Sequence, residues 1–250
     1  MTNESRQYTG KSRQYTGRVV GVHDVSPDTR KLTVEIDNKQ RLPFNAGQYV
    51  HLAVEGFEHR PFSIASAPHE PLLEFHVKSS GRGLSAHITE ALQPGSPILL
   101  EGPLGISHWR PSDGTITRPL LAIAGGLGIA PLKSIIEACL HDRSHPPVHL
   151  YWGARQRSQL YLDDYFRGLT RKYPRFSYIP VLSDDKNDPS QGTDSYRTGL
   201  LGHAVAEDFE TLSGMSIYMA GPAAMIDATV PLLLHKDAEE DYIFSDGFKL

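Results

Sequence analysis

A chain of 250 residues whose 25 basic and 29 acidic side chains are interspersed and sum to a net charge of −4 carries no electrostatic footprint for nucleic acid or an anionic membrane. Its single cysteine, Cys139, excludes an internal disulfide, and a plant-type two-iron cluster, which takes four thiolates, is not expected within the chain. No apolar run reaches the roughly 18 to 20 residues that cross a bilayer, and the polar start Met1-Thr2-Asn3-Glu4-Ser5 lacks the apolar centre of a signal peptide, so a cytoplasmic protein is expected.

Residues 1–17 read as a polar arm. Ser5 to Gly10 spell Ser-Arg-Gln-Tyr-Thr-Gly, and the same six recur as Ser12 to Gly17. Two copies are too few for a repeat architecture, so the first is a tail and the second a lead-in to the first strand. Residues 18–115 form the first expected domain. Period-two alternation marks half-buried antiparallel strands at Leu32-Thr33-Val34-Glu35-Ile36 and Leu73-Glu74-Phe75-His76-Val77. Further strands are expected at Arg18 to His23, Gln48 to Val54 and Ile98 to Glu101, with turns at Ser26-Pro27-Asp28, Asn45-Ala46-Gly47 and Gln93-Pro94-Gly95. With the stretch around Arg60 these make a small six-stranded antiparallel barrel. One short helix interrupts it, with Ser85 as its expected cap and Pro94-Gly95 as its stop.

The stretch His59-Arg60-Pro61-Phe62-Ser63-Ile64-Ala65-Ser66-Ala67-Pro68 sets a cation, a ring and a hydroxyl within four positions. In extended backbone Arg60 and Phe62 share one face and Ser63 takes the other. A guanidinium that forks onto phosphate, a ring that lies on a planar heterocycle and a hydroxyl that bonds a ring nitrogen suit a flavin nucleotide. The same residues also suit an ordinary strand with one surface Arg and one core Phe. The start of the short helix, approached through Ser79-Ser80-Gly81-Arg82-Gly83-Leu84-Ser85, offers free N–H groups as a phosphate seat, or is simply a glycine turn.

Residues 116–250 form the second expected domain. Pro119 to Ala124 is a continuous apolar run, followed by Gly125-Gly126-Leu127-Gly128-Ile129-Ala130-Pro131 and a helix with Leu132, Ile135, Ile136, Cys139 and Leu140 on one face. Strand, glycine turn and helix together make a second anion seat. Strands at His149 to Gly153, Phe176 to Leu182, Ser216 to Ala220 and Tyr242 to Ser245 alternate with helices at Ser158 to Tyr173, Gly199 to Asp208 and Ala223 to His235. That order specifies a doubly wound parallel α/β sheet, whose ligands bind beyond the carboxyl ends of its strands. Gly125 to Gly128, Gly153 to Arg157 and Gly221-Pro222 all fall there. Arg155, Arg157 and Ser158 follow the second strand, where they either receive the 2′-phosphate of NADPH or are surface charges at a helix start.

Arg-x-x-Ser in a barrel, followed by Ala-Gly-Gly-x-Gly-Ile-Ala-Pro in an α/β sheet, resembles the ferredoxin–NADP reductase superfamily over about Arg18 to Leu250. Ala46-Gly47-Gln48-Tyr49, Arg60-Pro61-Phe62-Ser63, Tyr151-Trp152-Gly153 and Phe244-Ser245-Asp246-Gly247-Phe248 are similar to the short single-chain NAD(P)H:flavin reductases in particular. The resemblance implies that Arg60, with Pro61 beside it, holds a flavin phosphate, that Phe62 lies on the ring or ribityl chain, and that Ser63 faces the flavin N5. Main chain at His76, Val77 and Lys78 would meet the pyrimidine edge, and Gly83, Leu84 and Ser85 the pyrophosphate. Gly125, Gly126, Leu127, Gly128, Ile129 and Pro131 would hold the nicotinamide dinucleotide, Gly221, Pro222 and Met225 would border the nicotinamide, and Phe248 would stand near the hydride-acceptor site. Four positions depart from the family pattern: Phe62 replaces a frequent Tyr, Leu127 a frequent Thr and Ala220 a frequent Cys, and the Gly81-Arg82-Gly83 spacing is irregular.

The implied activity is hydride transfer from NADH or NADPH to FAD, or to loosely bound FMN, FAD or riboflavin. Electrons then pass to an acceptor such as a separate oxygenase or iron–sulfur protein. A flavin- or nicotinamide-sensing subunit without turnover is the alternative. Of the twelve histidines, His141 and His145 stand four apart, but Pro146 and the helix end expected near Asp142 make that stretch a polar turn, so no metal site is expected. Asp184 to Tyr196, rich in Asp, Ser, Gly and Asn, reads as a surface loop.

Overall fold

The computed structural model describes residues 13–110, 118–184 and 196–245, and the chain divides into two units between Trp109 and Arg110. The first unit holds strands β1 (Arg13–Ser26), β2 (Thr29–Ile36), β3 (Tyr49–Ala53), β4 (Arg60–Ser63) and β5 (Leu73–Lys78), helix α1 (Gly83–Glu90) and strand β6 (Pro97–Leu104). They form one antiparallel sheet in the order β4-β3-β6-β1-β2-β5. Its two outermost strands are joined where the Ala65 N–H donates to the Glu74 carbonyl at 2.7 Å and the Glu74 N–H to Ser66 Oγ at 3.1 Å. The sheet therefore curls into the expected barrel. Inside it Leu32, Val34, Val50, Leu52, Phe75, Val77 and Leu100 are buried, and Ile88 of α1 joins the same core. Burying each such side chain contributes roughly 1.5–3 kcal/mol, more than the ~1 kcal/mol span of strand propensity, so the alternating apolar face fixes the register.

Two elements of this unit begin elsewhere than expected. Strand β1 starts at Arg13, not Arg18, because Tyr15 and Gly17 continue the buried set of Val19 and the segment pairs with β6 from Arg13↔Gly102 to Gly17↔Ile98. The second hexapeptide copy is thus part of the sheet, while the first lies outside the described residues. Helix α1 starts at Gly83 with Arg82 as an extended N-cap and no side-chain cap. Ser85 does not cap it, because its hydroxyl pairs with Ser80 Oγ at 2.6 Å instead.

The second unit holds β7 (Leu120–Gly125), α2 (Ile129–His141), β8 (Val148–Ala154), α3 (Asp163–Lys172), β9 (Phe176–Leu182), β10 (Arg197–Thr198), α4 (Leu201–Asp208), β11 (Ser216–Ala220), α5 (Ala223–His235) and β12 (Ile243–Phe244). Its sheet is parallel in the order β10-β9-β8-β7-β11-β12. All six residues of β7 are buried, as expected of a central strand covered on both faces. From β7 the chain steps outward through β8, β9 and β10, then returns to the other side of β7 for β11 and β12. The direction of winding switches between β7 and β11. Cys139 packs inward from α2 at 2% exposure, and burial pushes its thiol up to about 12.

Helix α3 begins at Asp163, not Ser158, because residues 157–159 form a separate 3-10 turn that Gln159 ties off, its Oε1 accepting the N–H groups of Arg155 and Gln156. The short β10 was not legible. No helix among the described residues is long and apolar enough to cross a membrane.

A clamp links the entry and the end of this unit. Arg118 Nη1 and Nη2 donate to Glu239 Oε1 and Oε2 at 2.9 and 3.1 Å, Glu239 Oε1 also accepts the Gly214 N–H at 3.0 Å, and the guanidinium lies 3.4 Å from the Tyr242 ring centroid. The bonds from Arg118 and Gly214 hold the Glu239 carboxyl below its usual value of 4.5. A depressed folded-state pKa gives stability that is present above the unfolded value and lost as pH falls through the folded one. Glu239→Gln is therefore expected to lower the melting temperature at pH 7, with the difference from wild type shrinking well below pH 4.5. Thermal unfolding across that range checks it.

Candidate functional site

Strand β4 pairs with β3 through Leu52↔Arg60, His51↔Pro61, Val50↔Phe62 and Tyr49↔Ser63. Directly opposed residues of an antiparallel pair share a face. Arg60 and Phe62 therefore lie on the face of the buried Leu52 and Val50, and Pro61 and Ser63 on the other, as alternation requires. Phe62 is half-buried and packs on the barrel core. Arg60 and Pro61 are exposed and Ser63 half-buried. The Arg60 Nη2 bonds Glu58 Oε2 at 2.9 Å.

On β5 the His76 and Val77 side chains are buried, and Lys78 pairs with Asp28 Oδ2 at 2.8 Å. His76 Nε2 bonds Glu74 Oε1 at 2.9 Å. These side chains are engaged with the barrel, so a contact to a bound ring from this segment would come from main chain. At α1, Gly81 and Gly83 have φ of +73° and +65°, and the space where a Cβ would stand is open at both. Its first turn, with Leu84 buried, contains no acidic residue. An approaching phosphate would meet N–H groups unopposed by carboxylate.

The second unit concentrates its features at the winding switch. Gly125 ends β7 opposite Gly153 of β8, and the Trp152 indole N–H donates to the Gly126 carbonyl at 2.9 Å. Gly126 has φ +53° and open space around its missing Cβ. A Cβ on Gly125 would stand 2.5 Å from Met225 Sδ and 3.1 Å from Pro222 Cδ, and one on Gly128 would stand 2.1 Å from the Ala220 carbonyl oxygen. Thus Gly125, Gly126, Gly128, Gly221, Pro222 and Met225, nearly a hundred residues apart in the chain, meet in one place. Leu127 is half-exposed there, Ile129 opens α2 and is buried, and Pro131 sits in its first turn, where no N–H is missed. Helix α2 has no side-chain cap and no acid in that turn. Bare backbone, open space and a free helix start fit a pyrophosphate.

At the ends of β8 and β9 lies an open groove of about 630 Å³ bordered by Gln156, Arg157, Ser158, Tyr161, Asp163, Asp164 and Asp184. Arg155 and Arg157 are exposed, and the Arg157 guanidinium lies 5.0 Å from the Tyr196 ring centroid. Phe248 falls outside the described residues, as does most of the loop expected between Asp184 and Tyr196. Sequence reasoning missed the part of Trp152 in holding the glycine turn; a large donor-bearing residue immediately before Gly153 was the available signal. It also missed the aromatic stack at the C-terminal strand, where Phe244 lies on Tyr218 at 4.8 Å with Arg110 5.0 Å from its centroid. Among the described residues no three His, Cys, Asp or Glu side chains gather as metal ligands would.

These features define a two-domain oxidoreductase. Residues 16–109 match the family model of the oxidoreductase FAD-binding domain, and residues 122–230 that of the oxidoreductase NAD-binding domain. The chain is 32% identical to the NAD(P)H-flavin reductase of Aliivibrio fischeri, over 84% of this chain and 89% of that protein. It is 30% identical to the ferredoxin–NAD(P)(+) reductase component of the naphthalene 1,2-dioxygenase system of Pseudomonas putida, over 92% of this chain and 67% of that one. Its fold matches the crystal structure of Amycolatopsis cytochrome P450 reductase GcoB with a TM-score of 0.84 and 31% identity, covering 97% of this chain and 72% of that one. The chain belongs to the ferredoxin–NADP reductase superfamily, together with the NAD(P)H-flavin reductases, and is a flavin- and nicotinamide-dependent oxidoreductase.

Proposed function

We propose that this protein is a cytoplasmic NAD(P)H:flavin reductase that passes electrons onward to a separate oxygenase or iron–sulfur protein. The observation that carries the reading is the winding switch of the second unit, where two glycine loops and an uncapped helix start meet to receive a dinucleotide. When bound, the flavin accepts hydride from the reduced nicotinamide and releases electrons to the acceptor.

The chain's own residues bind and orient. Arg60, exposed at the start of β4 beside Pro61, exchanges Glu58 for a flavin phosphate. The Phe62 ring, fixed against the barrel core, presents an edge or face to the flavin, and its missing hydroxyl leaves stacking intact. Ser63 donates to the ring nitrogen that accepts hydride. Main chain of His76, Val77 and Lys78 meets the pyrimidine edge, and Gly83, Leu84 and Ser85 border the pyrophosphate. In the second unit Gly125, Gly126, Leu127, Gly128, Ile129 and Pro131 hold the nicotinamide dinucleotide, with Gly221, Pro222 and Met225 beside the nicotinamide and Arg155 and Arg157 toward the adenosine. Phe248, outside the described residues, is assigned by the family resemblance alone to the neighbourhood of the hydride-acceptor site. The lone Cys139, buried in α2, supports an electron path without an iron–sulfur cluster in this chain.

The test is anaerobic titration of purified, desalted protein with NADH and NADPH, alone and with riboflavin, FMN or FAD. Bleaching of a retained yellow chromophore identifies a prosthetic flavin. Nicotinamide oxidation only on adding flavin identifies a flavin substrate. Absence of oxidation with all three flavins, in protein with an intact circular dichroism spectrum, overturns the reading and leaves a sensing role.

A further inference from the structure

Gln48, in the turn that leads into β3, is 0% exposed, yet both ends of its amide are satisfied by main chain. Its Oε1 accepts the Asn45 N–H at 2.8 Å, and its Nε2 donates to the carbonyl of Gly105, just past β6, at 3.0 Å. An amide offers an acceptor and a donor to these two groups at once, whereas a carboxylate only accepts. The backbone of the same residue holds a third segment, its carbonyl accepting the Ile64 N–H at 3.0 Å. That bond is the rung immediately beyond the Tyr49↔Ser63 pair, so it closes the ladder at the end of β4. The turn itself is tied down as well. Its Gln48 N–H donates to the Asn45 carbonyl at 3.1 Å, and its Ala46 carbonyl accepts the Trp109 N–H at 2.8 Å. The segments around residues 45, 64 and 105 thus meet on one buried side chain and its carbonyl.

We propose that Gln48 is a positioning residue for hydride transfer, fixing the end of β4 and so setting where the Ser63 hydroxyl stands. The inference rests on the flavin reductase reading above, with Ser63 as the donor to the flavin, and adds the residue that holds that donor in place. Without the amide, the Asn45 N–H and the Gly105 carbonyl lose a buried partner, and the turn must shift to satisfy them elsewhere. The Gln48 carbonyl moves with the turn and takes Ile64 with it, and Ser63 is the adjoining residue. Arg60, at the other end of β4, is paired through Leu52 and lies farther from the disturbance. The rate is therefore affected more than the affinity for flavin. A misplacement of about 1 Å can cost 10²-fold in rate, so a smaller one is expected to cost about tenfold.

The experiment is a double-mutant cycle that combines Gln48→Met, which keeps the length of the side chain and loses both bonds, with Ser63→Ala. The rate of flavin reduction by NADH and NADPH is read in anaerobic stopped flow, with riboflavin, FMN and FAD each at saturation. Gln48→Met is expected to slow the wild-type rate about tenfold and to change the Ser63→Ala rate by less than about twofold, because misplacing a hydroxyl costs nothing once it is gone. Hydrogen exchange of the whole protein without flavin is the second readout. The Ile64 amide is expected to lose more protection in Gln48→Met than the amides of β1 and β2, the mark of a local opening rather than a general loss of stability. Gln48→Glu, which keeps the acceptor for Asn45 and loses the donor to Gly105, goes through the same cycle and decides the matter where Gln48→Met does not fold. Equal slowing in both backgrounds, or an Ile64 amide as protected as in wild type, overturns the inference. Wild-type protein that reduces none of the three flavins fails the reductase reading and the inference with it, whereas wild-type flavin reduction alongside equal slowing fails only the part given to Gln48.

Discussion

Ser63→Ala is expected to slow reduction of the flavin by NAD(P)H by 10²- to 10³-fold in anaerobic stopped flow, while the protein keeps its melting temperature and most of its flavin affinity. The asymmetry follows from where Ser63 sits. It ends β4 opposite Tyr49, half-buried, and its place in the ladder is a matter of backbone bonds that alanine makes equally well. What the substitution removes is one hydroxyl on the face opposite Arg60 and Phe62, the residues proposed to hold the flavin phosphate and ring. An oriented donor aimed at an atom that gains charge in the transition state acts on the rate rather than on ground-state binding. Loss of such a donor costs about 2.7–4 kcal/mol at another active site. Ser63→Thr, which restores the hydroxyl, is expected to recover much of the rate. A Ser63→Ala rate equal to wild type would remove Ser63 from the chemistry.

The legible parts of the fold are those where burial alone decides. The run Leu120 to Gly125 reads as a central parallel strand because both its faces are covered, and Leu32, Val34, Phe75 and Val77 read as barrel strands because one face is. Helix starts were less legible. A serine rule placed the cap of α1 at Ser85, but positive φ at Gly83 let the helix start earlier, and the nearby Ser80 hydroxyl claimed Ser85. A side-chain acceptor from Gln159 likewise split what periodicity joined into one helix at Ser158. The glycine loops were legible as glycine loops. Their mutual fit was not, since it depends on partners such as Trp152 and Gly126, or Arg118 and Glu239, that meet only after the sheet has wound.

Gly128→Ala tests that fit, and it is expected to destabilise the second unit by about 1–3 kcal/mol or more and to abolish nicotinamide binding. Conformation is not the reason, because Gly128 has φ −59° and ψ −11°, which alanine adopts freely. Space is the reason. The added methyl would stand 2.1 Å from the Ala220 carbonyl oxygen, 2.3 Å from its carbon and 2.7 Å from the Gly221 nitrogen. All three are backbone atoms at the end of β11, so no side chain can rotate away, and relief requires α2 to move off the sheet at the turn proposed to hold the pyrophosphate. Gly126→Ala separates folding from binding. Nothing stands within 4 Å of its missing Cβ, and its φ of +53° costs alanine only about 1–2 kcal/mol. The methyl would instead fill the open space proposed to receive the nucleotide. Gly126→Ala should fold with a modest loss of melting temperature and bind NAD+ poorly, whereas Gly128→Ala should fail in both thermal unfolding and nucleotide titration. Wild-type behaviour of Gly128→Ala in both measurements would mean that the approach of α2 to β11 is not what builds the seat.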